Sequence, residues 1–172
     1  EIGDRVVTIA MDGSHAEQRT ADQSASWKIP DGLDTIDASV VPVGFGTAHD
    51  CLFEFGRLQA GETVLVHAGA GGVGVAAIQL AHRAGARVFA TASSDDRLER
   101  LRDLGLDEGI NYVSDDFVAA TRSLTDGRGV DLVVDSVGGD TLRGSLAALA
   151  YRGRCVSVGD AGRGKPEPLE VS

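Results

Sequence analysis

The apolar run Thr63-Val64-Leu65-Val66-His67-Ala68 passes directly into Gly69-Ala70-Gly71-Gly72-Val73-Gly74. The glycines open onto Val73, Ala76, Ala77, Leu80, Ala81 and Ala84, which share one stripe at helical spacing before a stop at Gly85. A short continuous apolar run is the pattern of a strand buried on both faces, and the stripe has the 3.6-residue period of an amphipathic helix. Strand, glycine turn and helix in that order open a β-α-β unit.

The alternation then repeats. Arg87 to Ala92 reads as a strand, and Asp96 to Leu104 as a helix with Leu98, Leu101 and Leu104 inward, stopped by Gly105. A strand near Gly109 to Tyr112, a helix around Asp115 to Leu124, a strand at Val130 to Asp135, a helix around Thr141 to Leu149 and a strand at Arg154 to Val158 follow. Parallel strands need right-handed crossovers, so five strands alternating with helices predict an α/β fold with a doubly wound parallel sheet. Asp160 to Ser172 holds two prolines and ends without another strand, so a six-stranded sheet would be incomplete.

Upstream the pattern differs. Arg5 to Ala10 and Ala16 to Ala21 read as strand-like, with a turn at Pro30-Asp31-Gly32. Thr35 to Leu58 reads as two helices broken near Pro42 and Gly44, the second with Ala48, Leu52 and Phe55 on one face. Residues 1–32 are therefore expected to form a small separate piece, and residues 33–172 the main domain. The chain starts at Glu1, inside a strand-forming segment, and is expected to be a fragment.

Composition narrows the partners. The 172 residues carry a net charge of -10, which repels phosphate backbones and anionic lipid surfaces and disfavours nucleic acid as a partner. No apolar run approaches the ~20 residues of a membrane helix, and no signal peptide is recognisable. Cys51 and Cys155 lie far apart and outside any CxxC pair, so a reducing, cytoplasmic setting is the expectation.

Gly69 to Gly74 fits G-x-G-x-x-G in the context that gives this motif meaning, after a strand and at a helix start. On that reading Gly69 permits the tight turn, Gly71 lets backbone approach a pyrophosphate, and Gly74 lets the helix pack closely on its strand. Free amides at the helix start, with Ala70, Gly72 and Val73, then face the phosphates of a dinucleotide. NAD binding calls for an acidic residue at the tip of the second strand, where this chain has Ala92-Ser93-Ser94. Small hydroxyls leave room for a 2′-phosphate, and the planar fork of Arg97 one turn on could pair with it, which favours NADPH over NADH. Two other readings stay open: Ser94 as a helix cap with Arg97 merely solvated, and Asp95 or Asp96 serving the ribose of NAD.

Gly3-Asp4-Arg5-Val6, Ile29-Pro30-Asp31-Gly32, Gly46-Thr47-Ala48 and Val64 through Gly74 together resemble the medium-chain dehydrogenase/reductase superfamily. Ala77-Ile78-Gln79-Leu80-Ala81, Gly85-Ala86-Arg87-Val88, Ile110-Asn111-Tyr112 and Asp135-Ser136-Val137-Gly138-Gly139 resemble its zinc-independent quinone oxidoreductase group. The resemblance implies a Rossmann-type doubly wound domain, with residues 1–32 an edge of a mostly β, GroES-like substrate domain. It implies Tyr112 beside Arg97 at the 2′-phosphate, Thr47 near the nicotinamide, and Val137, Gly138, Val158 and Gly159 along the dinucleotide. Their alternative is plain turn chemistry.

Zinc-dependent members carry a ligand four residues before the equivalent of Thr47, where this chain has Val43, so no metal is expected. A lone His49 or His67 is the usual signature of a satisfied structural histidine. The resemblance implies hydride transfer from NADPH to a small acceptor, a quinone, an enone or an enoyl thioester, with catalytic residues outside this chain and a homodimeric parent. An enoyl-reductase domain of a polyketide or fatty-acid synthase is the alternative, similar at Val41-Pro42-Val43, Val88 to Ser93 and Gly127 to Asp131. A non-catalytic NADP-binding module is the third reading.

Overall fold

The computed structural model describes residues 2–162. Two short strands, β1 (Val6–Thr8) and β2 (Ser26–Lys28), pair antiparallel, and a 3-10 turn at Gln23–Ala25 precedes β2. Helix α1 (Thr35–His49) runs into a π-helical segment, Asp50–Phe55. The remainder alternates strictly: β3 (Thr63–Val66), α2 (Gly72–Arg83), β4 (Arg87–Ala92), α3 (Asp95–Arg102), β5 (Glu108–Asn111), α4 (Phe117–Leu124), β6 (Val130–Asp135), α5 (Asp140–Ala148) and β7 (Leu149–Ser157).

Five parallel strands make one sheet in the order β5-β4-β3-β6-β7. Its two faces follow from strand alternation. Val64, Val66, Val88, Ala90, Leu132 and Val134 meet α2, α3 and the buried Ala48 and Leu52, whereas Leu65, Phe89 and Val133 meet Phe117 and Leu124 of α4 and Ala148 of α5. Both faces are covered, so the strands read as unbroken apolar runs. The expected doubly wound α/β sheet is therefore present. Strand order reverses between β3 and β6, and in such sheets the crevice beyond the strand ends at that point is where ligands sit.

Four local expectations give way. Ala16 to Ala21 forms no strand; it is nearly all exposed, and the partner of β1 is Ser26–Lys28. Without an apolar face the segment gains nothing by pairing. Pro42 does not break α1, although its ring removes one intrahelical bond. Ala38 and Ala48, both buried, anchor the helix on either side of it. Phe55 leaves the face of Ala48 and Leu52 and is 67% exposed. The π-helical segment, with its Gly56 amide bonded to the Cys51 carbonyl five residues back, advances fewer degrees per residue than an α-helix and turns Phe55 outward.

The fourth is β7, which begins at Leu149 rather than Arg154. Between the pairs Val130↔Leu149 and Leu132↔Arg154 it carries extra residues, with Arg152 at φ 63. This bulge puts Tyr151 in solvent and returns Arg154 to the sheet. The part of the proline-containing tail beyond residue 162 lies outside the described residues.

Arg154 ties down the end of the sheet away from the crevice. Its Nη1 and Nη2 each donate to Glu62 at 2.8 Å, Nε donates to the Gly56 carbonyl at 2.8 Å, and further bonds reach the carbonyls of Asp131 and Arg57. Asp131 takes the Thr63 amide at 2.8 Å and a fork from Arg128. Lysine cannot reproduce a planar five-donor fork. Arg154→Lys is expected to lower stability by roughly 1–3 kcal/mol, read as a shifted urea midpoint at unchanged slope.

Candidate functional site

The turn after β3 is set by close contacts. The left-handed residue is Ala68, at φ 50, not Gly69. Gly69 is required for another reason: a Cβ there would lie 2.7 Å from the Cβ of Ala90 and 3.3 Å from Leu101. Its amide bonds to the Thr91 carbonyl at 2.8 Å, so the loop leaves β3 tight against β4. A Cβ on Gly74 would lie 2.7 Å from the Gly69 Cα, so α2 starts with backbone against backbone. Gly72 has nothing within 4 Å of its Cβ direction. No side chain caps α2, which begins at Gly72 with Gly71 as N-cap, so its first-turn amides stand open beside exposed Ala70, Gly71 and Gly72. Val73 is half-buried.

Two cavities adjoin this helix start and share Ala68 and Tyr112. One, of about 190 Å³, is lined by Ala68, Ala70, Gly71, Ala92, Ser93, Arg97 and Tyr112. The other, of about 340 Å³, is lined by His67, Thr91, Phe117, Val137 and Thr141 as well as the shared pair. The fold thus gathers the glycine loop, the tip of β4, Arg97, Tyr112 and Val137 along one crevice at the strand ends. Arg97 is exposed and takes no hydrogen-bond or ion-pair partner among the described residues. Ser94 occupies the N-cap position of α3, but its hydroxyl makes no capping bond. Asp95 is held instead by the Asn111 side chain at 3.0 Å.

Other expected residues stand apart. Thr47, half-buried on α1, lines neither cavity, but its neighbour Gly46 helps line a third, apolar space of about 430 Å³ between β1, β2 and α1. Gly138, at φ 71, turns the chain after β6. Val158 donates its amide to the Asp135 carbonyl at 2.8 Å, and a Cβ on Gly159 would lie 3.0 Å from the Ser136 carbonyl. The loops after β6 and β7 therefore run together, behind Val137. Val43 is exposed on α1, and among the described residues no group of three His, Cys, Asp or Glu side chains could hold a metal ion.

Sequence reasoning missed the polar cluster beneath the crevice. His67, Thr91, Asp135 and Ser145 are all buried at the C-terminal ends of β3, β4 and β6 and on α5. His67 Nδ1 lies 3.0 Å from the Thr91 hydroxyl and Nε2 lies 3.0 Å from the Ser145 hydroxyl. Ser145 donates to Asp135 at 2.8 Å, and the other Asp135 oxygen accepts the amides of Val137 and Gly138 at 2.8 and 2.9 Å. The edge of His67 meets Phe117, ring centres 4.8 Å apart. The one available signal was a carboxylate closing the apolar run of β6.

Burial pushes the His67 imidazole below its ordinary value of 6.5, against a smaller upward pull from the Asp135 charge. The unfolded chain therefore binds more protons than the folded one just below that pH, and the stability held by neutral His67 is complete above it and lost as pH falls through the folded value. The urea midpoint is expected to drop between about pH 7 and 5 more steeply in the native protein than in His67→Gln. A second expectation separates the glycines. Gly74→Ala costs about 1–3 kcal/mol through overpacking, and Gly72→Ala stays within about 0.5 kcal/mol, both read by thermal unfolding.

Comparison with known proteins agrees with this geometry. A family model described as zinc-binding dehydrogenase matches residues 72–172. Quinone oxidoreductase-like protein 2 of Rattus norvegicus is 40% identical over 161 residues, covering 93% of this chain and 46% of the rat protein. A mycocerosic acid synthase-like polyketide synthase of Mycolicibacterium smegmatis is 38% identical over 158 residues, 92% of this chain and 8% of the synthase. The solved structure of a mycobacterial protein complexed with NADPH superposes with a TM-score of 0.90 at 39% identity, covering 99% of this chain and 52% of that one. The chain thus spans about half or less of each relative. It belongs to the zinc-binding dehydrogenase family of the medium-chain dehydrogenase/reductase superfamily, in its quinone oxidoreductase-like group.

Proposed function

We propose that this chain is the NADPH-binding portion of a reductase that passes hydride to a quinone or an activated alkene. The observation that carries the reading is the crevice itself, in which an uncapped helix start, a strand tip bearing Ser93 and Arg97, unpaired among the described residues, line one space. The open amides around Gly71, Gly72 and Val73 would take the pyrophosphate, with Ala70 beside them. Arg97, Tyr112, Ser93 and Ser94 would receive the 2′-phosphate, since a planar guanidinium pairs with two phosphate oxygens at once. One oxygen of Asp95 already accepts from the Asn111 side chain, which favours the 2′-phosphate reading over a ribose contact by that carboxylate. The larger cavity along Thr91, Tyr112, Phe117 and Val137 is mainly apolar and suits an adenine ring.

NADPH when bound would supply the hydride; these residues bind and orient it. Thr47, Gly138, Val158 and Gly159 complete the proposed contacts on the nicotinamide side. Residues 1–32 would form the edge of the substrate domain, and the apolar space near Thr47 lies on that side. The polyketide synthase relative favours a second reading, an enoyl reductase acting on an enoyl thioester. Turnover of a small quinone by the full-length parent, against turnover of an enoyl thioester, separates the two. A homodimeric, cytoplasmic parent accompanies the first reading.

Fluorescence titration should give saturable binding, tighter for NADPH than for NADH. Arg97→Ala is expected to weaken NADPH roughly 10- to 100-fold, the loss of a charge-assisted pair, while leaving NADH unchanged. Equal affinity for both dinucleotides in the native chain would overturn the phosphate argument.

A further inference from the structure

The buried cluster under the crevice has a definite hydrogen-bond logic. An ionised Asp135 only accepts, and its two oxygens are filled by the Val137 and Gly138 amides and the Ser145 hydroxyl. Ser145 also lies 2.9 Å from the Thr141 carbonyl, but its proton is the one that fills the second Asp135 oxygen, so Ser145 donates there and accepts from His67 Nε2–H. Nδ1 of His67 is then an acceptor for the Thr91 hydroxyl, whose oxygen in turn faces the Ala68 amide at 3.3 Å. The chain of bonds therefore begins at the amides of the loop after β6 and ends at the left-handed residue of the glycine turn. The four side chains are buried, and His67 and Thr91 line the larger cavity.

We propose that Ser145, His67 and Asp135 are positioning residues for the dinucleotide, holding the glycine turn and the Val137–Gly138 loop at one fixed separation. This rests on the reading of the crevice as a dinucleotide site. None of the three needs to touch the 2′-phosphate region around Arg97. Their effect is therefore blind to which dinucleotide binds. The order Asp135, Ser145, His67 places the hydroxyl between acid and base with its proton already donated to the carboxylate, so the cluster serves geometry rather than nucleophilic attack. The groups facing His67 are Asp135 from β6, Thr91 from β4, Ser145 from α5, Phe117 from α4 and, across the cavity, Tyr112. Protonation of His67 turns Nδ1 into a donor, so the Thr91 oxygen must accept from it; the bond of the neutral cluster reverses and the Thr91 proton loses its acceptor.

The test is dinucleotide affinity of the whole chain, measured for NADPH and NADH on the native protein and on Ser145→Ala. Removing the hydroxyl should weaken both dinucleotides by the same factor, roughly tenfold, with the NADPH preference intact. With NADH, which lacks the titrating 2′-phosphate, native affinity should fall on acidification below neutral pH, and His67→Gln should flatten that profile. If Ser145→Ala does not fold, Asp135→Asn, of nearly the same volume, gives the same reading through the amides of Val137 and Gly138. Native-like affinity for both dinucleotides in a folded variant, or a selective loss of NADPH alone, would overturn the proposal and leave the dinucleotide reading standing. Failure of the native chain to bind either dinucleotide would overturn both.

Discussion

The approach of α2 to the end of β3 is the constraint on which the crevice depends. Gly69 and Gly74 face each other at a distance that admits no side chain on Gly74, and Gly69 is pressed equally hard against Ala90 of β4. This contact brings the helix start, with its open amides, to the rim of the sheet at the point where strand order reverses. A helix displaced outward by one methyl group would carry Gly71 and Gly72 away from Ser93 and Tyr112. The division of labour among the glycines differs from the simplest reading of the motif, because the strained turn is taken by Ala68. Gly69 is retained for packing.

The two ends of the sheet are built differently. At the far end, Arg154 spends its donors on Glu62 and on backbone carbonyls, locking the π-helical segment, β3 and β7 together through partly exposed, charged groups. At the crevice end, uncharged His67, Thr91 and Ser145 meet a single carboxylate in the dry interior, where every polar atom needs a partner. Salt weakens the first kind of tie more than the second. The bulge in β7 belongs to the far end, where it returns Arg154 to the sheet after Tyr151 has looped into solvent.

Strands β3, β4 and β6 were legible because double burial keeps their central positions apolar, as Val64 to Val66 and Leu132 to Val134 illustrate. The glycine loop was legible for the same local reason: its spacing and its flanking periods lie within a dozen residues. The breaks in pattern were not. Pro42 looked like a terminus until buried Ala38 and Ala48 held both sides of it, and Phe55 looked buried until the π-helical turns rotated it out. Tertiary packing outweighs local propensity at such places.

By itself the sequence determined the fold class, the family and those crevice residues that lie on contiguous motifs, Ala70, Gly71 and Ser93. Period and spacing are properties of neighbouring residues, so a linear reading can recover them. Only the tertiary structure decided that Arg97 has no partner among the described residues, that Asp95 accepts from Asn111, and that His67, Thr91, Asp135 and Ser145 share one buried network. Those facts depend on contacts between residues separated by up to 78 positions. A histidine looks the same in sequence whether water or a buried hydroxyl stands beside it, and the crossing of strands supplies the difference.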